Sequence, residues 1–497
     1  MNDISITFNG KKLLVKKGIF LSEIVNGEKP CGGNGKCGKC KVVAKGEVSP
    51  LSKTEKSLLT AKEIEDNVRL SCMTTVIGKC DITDIYINKN THIITEGVLP
   101  NFEIAPVFKK YGVAVDIGTT TIAARIYDVN GNMLSDAACL NPQYKYGADV
   151  ISRIESALKG NANLLSLAVK NAINDIIITL SKKAQISSEL IDWVVITGNT
   201  VMLYLLLGES VEALSHAPFK IKRYFNEKLT AADIPFSSLS ANTIVYIPPC
   251  ISAFVGADIT CGLITLPLLS DQPLLFTDIG TNGEIAFWTG EKLVTCSTAA
   301  GPAFEGVGIS CGMRGEFGAI DKVNIINGKL NAHTVDNVKP VGICGSGLID
   351  AVACMLKINA LDESGFLCDD PFIISKGVSL TQKDIRMVQL AKSAICAGIN
   401  AMLFICGFES AADIKLAIAG GFGRYLNIDN AIKIGLLPQM PIQNIEILGN
   451  SALSGAAMLL LNNKSFQRAS ELSQYAEIID LSTNEKFKEL YIDYMLF

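Results

Sequence analysis

Two stretches of the chain are built on one plan: YGVAVDIGTTTIAARIYD, beginning at Tyr111, and LLFTDIGTNGEIAFWTG, beginning at Leu274. Each runs an apolar strand into Asp-Ile-Gly-Thr and then into a second apolar strand. Asp116 and Asp278 head the two turns 162 positions apart, so the chain holds two similar halves. A tight glycine turn exposes backbone N–H groups, threonine hydroxyls add donors, and an aspartate at a strand end can hold hydrated magnesium. That combination suits nucleotide phosphates. One such hairpin would be weak evidence; two in one chain constrain it far more.

A third stretch, IKLAIAGGFGRY from Ile414, runs a strand into Gly420, Gly421 and Gly423, where missing side chains would let an adenine lie against backbone. A tight strand-to-helix packing turn would use the same glycines. Together the three stretches resemble the actin-like (ASKHA) ATPase superfamily, which includes sugar kinases and chaperone ATPases. The resemblance implies ATP with Mg2+ as cofactor. It puts phosphate 1 at Asp116 to Thr121, with Gly118, Thr119, Thr120 and Thr121 as binding residues. It puts phosphate 2 at Asp278 to Glu284, with Gly280, Thr281, Asn282 and Gly283, and the adenosine motif at Gly420, Gly421 and Gly423. Asp116, Asp278 and Glu284 are then the expected catalytic carboxylates. VVITGNTVM (194–202), which carries Gly198 and Asn199, and LGNSALSGAAM (448–458) sit where the superfamily's two connecting segments belong. The nucleotide is expected between two lobes that hinge.

The first ninety residues read differently. Ile4, Ile6 and Phe8 alternate with polar residues, Asn9-Gly10 supplies hairpin-turn chemistry, and KKLLV answers as a second strand. A short helix is expected around Leu21 to Val25, a strand at CKVVAKG, a capping box at Ser52 and Glu55, and another strand at Asp81 to Ile87. Between them lies CGGNGKCGKC, residues 31–40. As a phosphate loop it fails, because Cys40 stands where a hydroxyl is needed and a strand follows instead of a helix. As a ligand loop it holds. Five residues separate Cys31 from Cys37, two separate Cys37 from Cys40, and Cys72 follows in RLSCMTT. Four thiolates so spaced can hold a 2Fe-2S cluster; structural zinc, the plainer alternative, usually shows two short-spaced pairs. The segment resembles a 2Fe-2S ferredoxin of the β-grasp type.

The expected fold is therefore α/β: a β-grasp ferredoxin-like domain at 1–95, a linker at 96–111, and a two-lobed ASKHA domain at 112–497, divided near 270. The ordered set DIGTTT, NPQYKYGADVISRI, TGNTVM, TDIGTNGEI, GPAFEG, GICGSGLID, AGGFG and FKELYIDYMLF resembles the reductive activators of corrinoid-dependent enzymes over nearly the whole chain. The resemblance implies an electron passed from the cluster to the Co(II) corrinoid of a partner protein, restoring Co(I) with the help of ATP hydrolysis. The electron donor is an unidentified low-potential carrier. A radical-dehydratase activator and a redox-regulated small-molecule kinase are the alternatives, and a homodimer is left open.

Two departures bear on this reading: about fifteen residues separate ferredoxin and ATPase where some members carry a further domain, and no second CxxC occurs, so one cluster per chain is expected. His92, His216 and His333 are the only histidines, and none lies in a DxHxxG context, so the corrinoid should belong to the partner. Glu305 in GPAFEG and Asp350 after GICGSG read equally as functional carboxylates or as caps. Thr381 with Asp384 starts a helix read as core.

The net charge of −4, with lysines and arginines scattered, excludes the basic stripe that nucleic acid or an anionic membrane requires. The N-terminus lacks an apolar leader and no uninterrupted apolar run reaches the ~20 residues of a membrane span, so a cytoplasmic protein is expected. Fifteen cysteines then argue for thiols and metal ligation, with the eleven outside the cluster motif buried and inert.

Overall fold

The computed structural model describes residues 3–25, 33, 35, 38, 40–84, 97–268, 271–421 and 425–497. It divides into two compact units, Met1–Asn90 with Pro142–Ala168, and Thr91–Asn141 with Val169–Phe497.

The first unit holds a five-stranded mixed sheet built from β1 (Asp3–Phe8), β2 (Lys11–Lys16), β3 (Lys41–Val48), β4 (Val68–Leu70) and β5 (Val76–Asp84), in the order β2-β1-β5-β3-β4. Asn9 and Gly10 both take positive φ, 49° and 79°, as a two-residue hairpin turn requires. β1 runs parallel to β5, while β3 is antiparallel to both its neighbours. The helices are short: α1 (Leu21–Ile24), α2 (Lys53–Leu58), α3 (Ala61–Glu65) and, from the second stretch, α4 (Val150–Ser156). α2 begins with the capping box read from Ser52 and Glu55. Alternate residues of the strands, among them Ile6, Val42 and Ile82, bury against Leu21 and Val76. Residues 85–87 of the expected last strand lie outside the described residues.

The second unit repeats one sheet plan. β6 (Tyr111–Ile117), β7 (Thr121–Asp128) and β8 (Met133–Leu140) form an antiparallel meander. On the other side of β6 lie β9 (Ile191–Gly198), parallel to it, then β11 (Ile244–Ile247), with β10 (Glu227–Thr230) at the edge. β12 (Leu274–Ile279), β13 (Gly283–Trp288) and β14 (Leu293–Thr298) make the second meander.

A three-stranded sheet of β15 (Ala319–Ile326), β16 (Lys329–Thr334) and β17 (Gly342–Ile343), and a ribbon of β18 (Phe372–Ser375) and β19 (Val378–Leu380), are inserted after β14. β20 (Lys415–Ala419) and β21 (Ile445–Gly449) then extend the second main sheet in parallel beyond β12, and β22 (Glu477–Ile478) closes its far edge.

Helices complete the repeat: α5 (Ala162–Ala184), α6 (Thr200–Leu207) and α7 (Ala257–Ile264) follow β8, β9 and β11. α8 (Gly345–Lys357) belongs to the insertion; α9 (Gln382–Ile405), α10 (Ile428–Lys433) and α11 (Ser451–Leu461) precede β20, follow it and follow β21. α12 (Ser465–Tyr475) and α13 (Glu485–Asp493) close the chain. Two helical stretches, Val150–Ala184 and Gln382–Ile405, are long and apolar enough to cross a bilayer by length and composition alone. Gly160, at φ 99°, interrupts the first, and 78% of the apolar window of the second is packed inside the protein.

Two expectations need correction. The repeat pairs α11 with α7, not with the 194–202 segment, because both helices follow the outer parallel strand of their sheet. They cross so closely that a Cβ on Gly455 would fall on the backbone carbonyl of Cys261. Nor are residues 97–110 a free linker. Val98 N–H donates to Leu448 O at 2.9 Å, and Ala105 and Val107 N–H donate to Leu461 and Leu460 O at 2.8 and 3.0 Å. Leu448 belongs to β21, while Leu460 and Leu461 close α11 with carbonyls that the helix itself leaves without partners, so an aperiodic stretch satisfies them and is fixed in place. Phe108 is buried beside them.

Candidate functional site

Strand register assembles the site in the second unit. Asp116 pairs across β6 and β9 with Thr197, and Ile117 with Gly198. Asp278 pairs across β12 and β20 with Ala419, so Gly420 comes directly beside it. Gly420 sits at φ 103°, and a Cβ there would lie 2.7 Å from Ile279 O and 2.9 Å from Asp278 Oδ1; only glycine fits. A Cβ on Gly421 would meet nothing within 4 Å among the described residues, and Gly423 lies outside them.

The two turns are tight. Asn141 Nδ2 donates to Gly118 O at 2.9 Å, Asn141 N–H donates to Thr120 O at the same distance, and Gly280 N–H donates to Asn282 O at 3.0 Å. Thr119 lies between Gly118 and Thr120, and Thr121 opens β7 opposite Leu140. Gly283 and Gly198 are held by packing: a Cβ would come within 2.7 Å of Thr298 Oγ1 and of Ile117 O respectively. Asn199 uses its side-chain oxygen to cap α6, accepting from Val201 N–H at 3.0 Å.

Carboxylates crowd this recess. Burial pushes Asp116 up to about 7, with the Asp258 charge adding to it and a 2.9 Å bond from Asn450 Nδ2 opposing it. Burial pushes Asp278 up to about 8, helped by Asp258, Asp116 and Glu305, and raises Glu284 with help from Asp258 and Asp278. Asp258, in the first turn of α7, is raised by burial to about 6. Glu305 accepts from Thr120 Oγ1 at 2.5 Å and from Thr281 Oγ1 at 2.7 Å.

Like charges so placed favour a cation among them. Among the described residues no three carboxylate, thiol or imidazole groups stand ready to clasp a metal directly. Sequence reasoning missed Asp258 and Asn450. The repeat carried the signal: GADITCG at 256–262 and GNSALSG at 449–455 occupy equivalent places in the two halves. Asp350, by contrast, accepts from Asn430 Nδ2 at 2.7 Å and from Val323 N–H at 3.2 Å, which ties α8 to α10 and to β15.

The first unit brings two cluster thiols together. Cys40 and Cys72 are buried, unbridged, and 3.2 Å apart at sulfur. That is too far for a disulfide, and it brings two thiols of the ligand motif face to face. Cys31 and Cys37 lie outside the described residues. Leu59, Val68 and Leu70 roof the thiols, and Gly35 turns at φ 67° where a Cβ would meet Met73 Sδ at 2.7 Å.

Glu55 fixes the Cys72 segment. It accepts from Arg69 Nε at 2.9 Å, Leu70 N–H at 3.2 Å and Thr74 Oγ1 at 3.0 Å. Burial alone would raise its pKa, but the bonds from Arg69, Ser52 N–H and Leu70 N–H outweigh it and hold the group at about 2. The donor set and its dry, glycine-lined surroundings fit an iron–sulfur cluster.

Comparison with known proteins agrees with both halves of this geometry. A 2Fe-2S iron-sulfur cluster binding domain model matches residues 23–76. The RACo middle region model matches 111–270, and the model for the C-terminal domain of RACo, the ASKHA domain, matches 272–497. The corrinoid activation enzyme RamQ of Eubacterium limosum is 35% identical over 413 residues, covering 77% of this chain and 69% of its own. The [Co(II) methylated amine-specific corrinoid protein] reductase of Methanosarcina barkeri is 25% identical over 416 residues, covering 77% of this chain and 76% of its own. A solved structure, a reductive activator for corrinoid,iron-sulfur protein, superposes with TM-score 0.72 at 28% identity over 99% of this chain and 98% of its own. With a ferredoxin-type thiol site in one unit and a duplicated ASKHA fold in the other, the chain belongs to the family of reductive activators of corrinoid-dependent enzymes.

Proposed function

We propose that the protein hydrolyses ATP in the recess between the two halves of its second unit and passes one electron to the cobalt of a partner's corrinoid, converting Co(II) to Co(I). The observation that carries the reading is that one chain joins converging buried thiols to a duplicated pair of phosphate turns whose carboxylates crowd one recess. Cys31, Cys37, Cys40 and Cys72 would hold a 2Fe-2S cluster. When bound, such a cluster supplies single electrons near roughly −400 mV if it is of the plant type. Each 59 mV uphill costs about 1.4 kcal/mol for a one-electron step, which is the reason to couple the transfer to ATP.

In this reading Gly118 to Thr121 and Gly280 to Gly283 hold the phosphates and Gly420 and Gly421 lie under the adenine. Asp116, Asp278 and Glu284 would hold hydrated magnesium, with Asp258 beside them. The ferredoxin-like domain spans 1–95 and the two lobes divide near 270. An external low-potential carrier resupplies electrons, and the cytoplasm, where thiols stay reduced, suits the free cysteines.

The test is visible spectrophotometry of a Co(II) corrinoid protein mixed with the pre-reduced full-length protein, with and without Mg-ATP. Co(I) is expected only with ATP, and not with Asp278→Ala. Equal Co(I) yields with and without nucleotide would sink the coupling.

A further inference from the structure

Glu305 ties the two phosphate turns together. Thr120 follows Asp116 and Thr281 follows Asp278, so the hydroxyls at 2.5 and 2.7 Å from its two oxygens come one from each half of the duplicated fold. Hydroxyl-to-carboxylate bonds of this length are charge-assisted and among the stronger ones.

The carboxylate is held there from behind. Glu305 ends the short turn Ala303–Glu305, and Gly306 follows at φ 79°, where a Cβ would strike the Met313 backbone at 2.5 to 2.6 Å. Four residues on, Ser310 donates to Asp384 Oδ1 through its N–H at 2.7 Å and its hydroxyl at 3.1 Å. Asp384 is fully buried in the first turn of α9, where its other oxygen accepts from Thr381 N–H at 2.9 Å.

A terminal phosphate and a carboxylate seek the same donors: hydroxyls and N–H groups at a tight turn. We propose that Glu305 is a gating residue for nucleotide: its carboxylate competes with the phosphates of a nucleoside di- or triphosphate for Thr120 and Thr281. The exchange of partners also unfastens the two halves from each other, which couples nucleotide entry to their movement. The proposal rests on the reading of the recess as a nucleotide site and names the group that sets its affinity.

Isothermal titration of the full-length protein with Mg-AMP-PNP tests it, using Glu305→Ala, the milder Glu305→Gln, and Thr281→Val. Circular dichroism checks that each variant is folded. Removing the competitor is expected to tighten AMP-PNP binding about tenfold in Glu305→Ala and by less in Glu305→Gln, while Thr281→Val weakens it. Amide hydrogen exchange at 118–121 and 280–283, measured without nucleotide, should be faster in Glu305→Ala. A merely structural role for Glu305 would loosen binding, not tighten it. Wild-type binding with equal or weaker affinity in both Glu305 variants overturns the gate alone. No binding in the wild type or any variant overturns the nucleotide reading with it. Binding only in the Glu305 variants supports both.

Discussion

Asp258 is an acid in the first turn of α7, and its negative charge helps raise Asp116, Asp278 and Glu284. The cost of this crowding has a sign. A carboxyl raised in the folded state keeps its proton there while the unfolded chain has released its own, so stability falls as pH climbs from the ordinary value of 3.8 through about 7 for Asp116 and about 8 for Asp278. Asp258→Asn removes one charge from the set. It should raise the melting temperature at pH 8, flatten its decline between pH 5 and 8, and slow ATP turnover, as happens where a site is built from strain. Differential scanning fluorimetry and a phosphate-release assay read the two effects. A variant that melts lower than wild type at pH 8 would show that Asp258 holds the fold together instead. Asp116 and Asp278 were legible from the sequence because each ends an apolar strand in an unmistakable turn. Asp258 was not, since only its position across the repeat sets it apart from an ordinary residue in the first turn of a helix.

At the scale of elements, the crossing of α7 and α11 joins the two halves. A Cβ on Gly455 would fall on the Cys261 carbonyl, which is backbone and cannot yield, whereas one on Gly262 would meet side-chain atoms only, Ser451 Oγ at 2.9 Å and the tip of the Phe276 ring at 2.7 Å. Gly455→Ala should therefore cost about 1–3 kcal/mol, the usual price of overpacking a close contact. Gly262→Ala should cost clearly less, and urea midpoints compare them. Equal losses would mean that the backbone at Cys261 moves. The strand order of both sheets follows from features a sequence displays: alternation, turn chemistry and the repeated aspartate. The crossing does not, because its two helices share little beyond a pair of glycines. The docking of 97–110 is equally silent, since Val98, Ala105 and Val107 bond backbone carbonyls that carry no residue signature, and the side chains that help, Asp192, Asn462 and Lys464, lie far off in the sequence.

The whole molecule combines two units whose most strongly shifted carboxyls behave oppositely. The first has a core around Ile6, Val42 and Ile82, and its cysteine segment is pinned by Glu55, lowered from 4.5 to about 2. A carboxyl depressed in the folded state contributes stability that is fully present above its unfolded pKa and is lost as pH falls through its folded one. The window here is pH 4.5 down to about 2, and the effect is on the order of 3 kcal/mol. The second unit, with its own cores and its raised carboxyls, gains stability as pH falls from 8 towards 5.

Calorimetry of the full-length protein at pH 8, 6, 4.5 and 3 should therefore show two transitions with different pH dependence. The larger should move up between pH 8 and 6. The smaller, followed through the visible absorption of the cluster, should stay level to pH 4.5 and then fall. Glu55→Gln should lower the smaller transition at pH 6 and remove its acid dependence while leaving the larger one in place, because the carboxylate of Glu55 belongs to the first unit alone. A single transition at every pH, or two that move together, would show that the units unfold as one body and that their acids act on a shared stability.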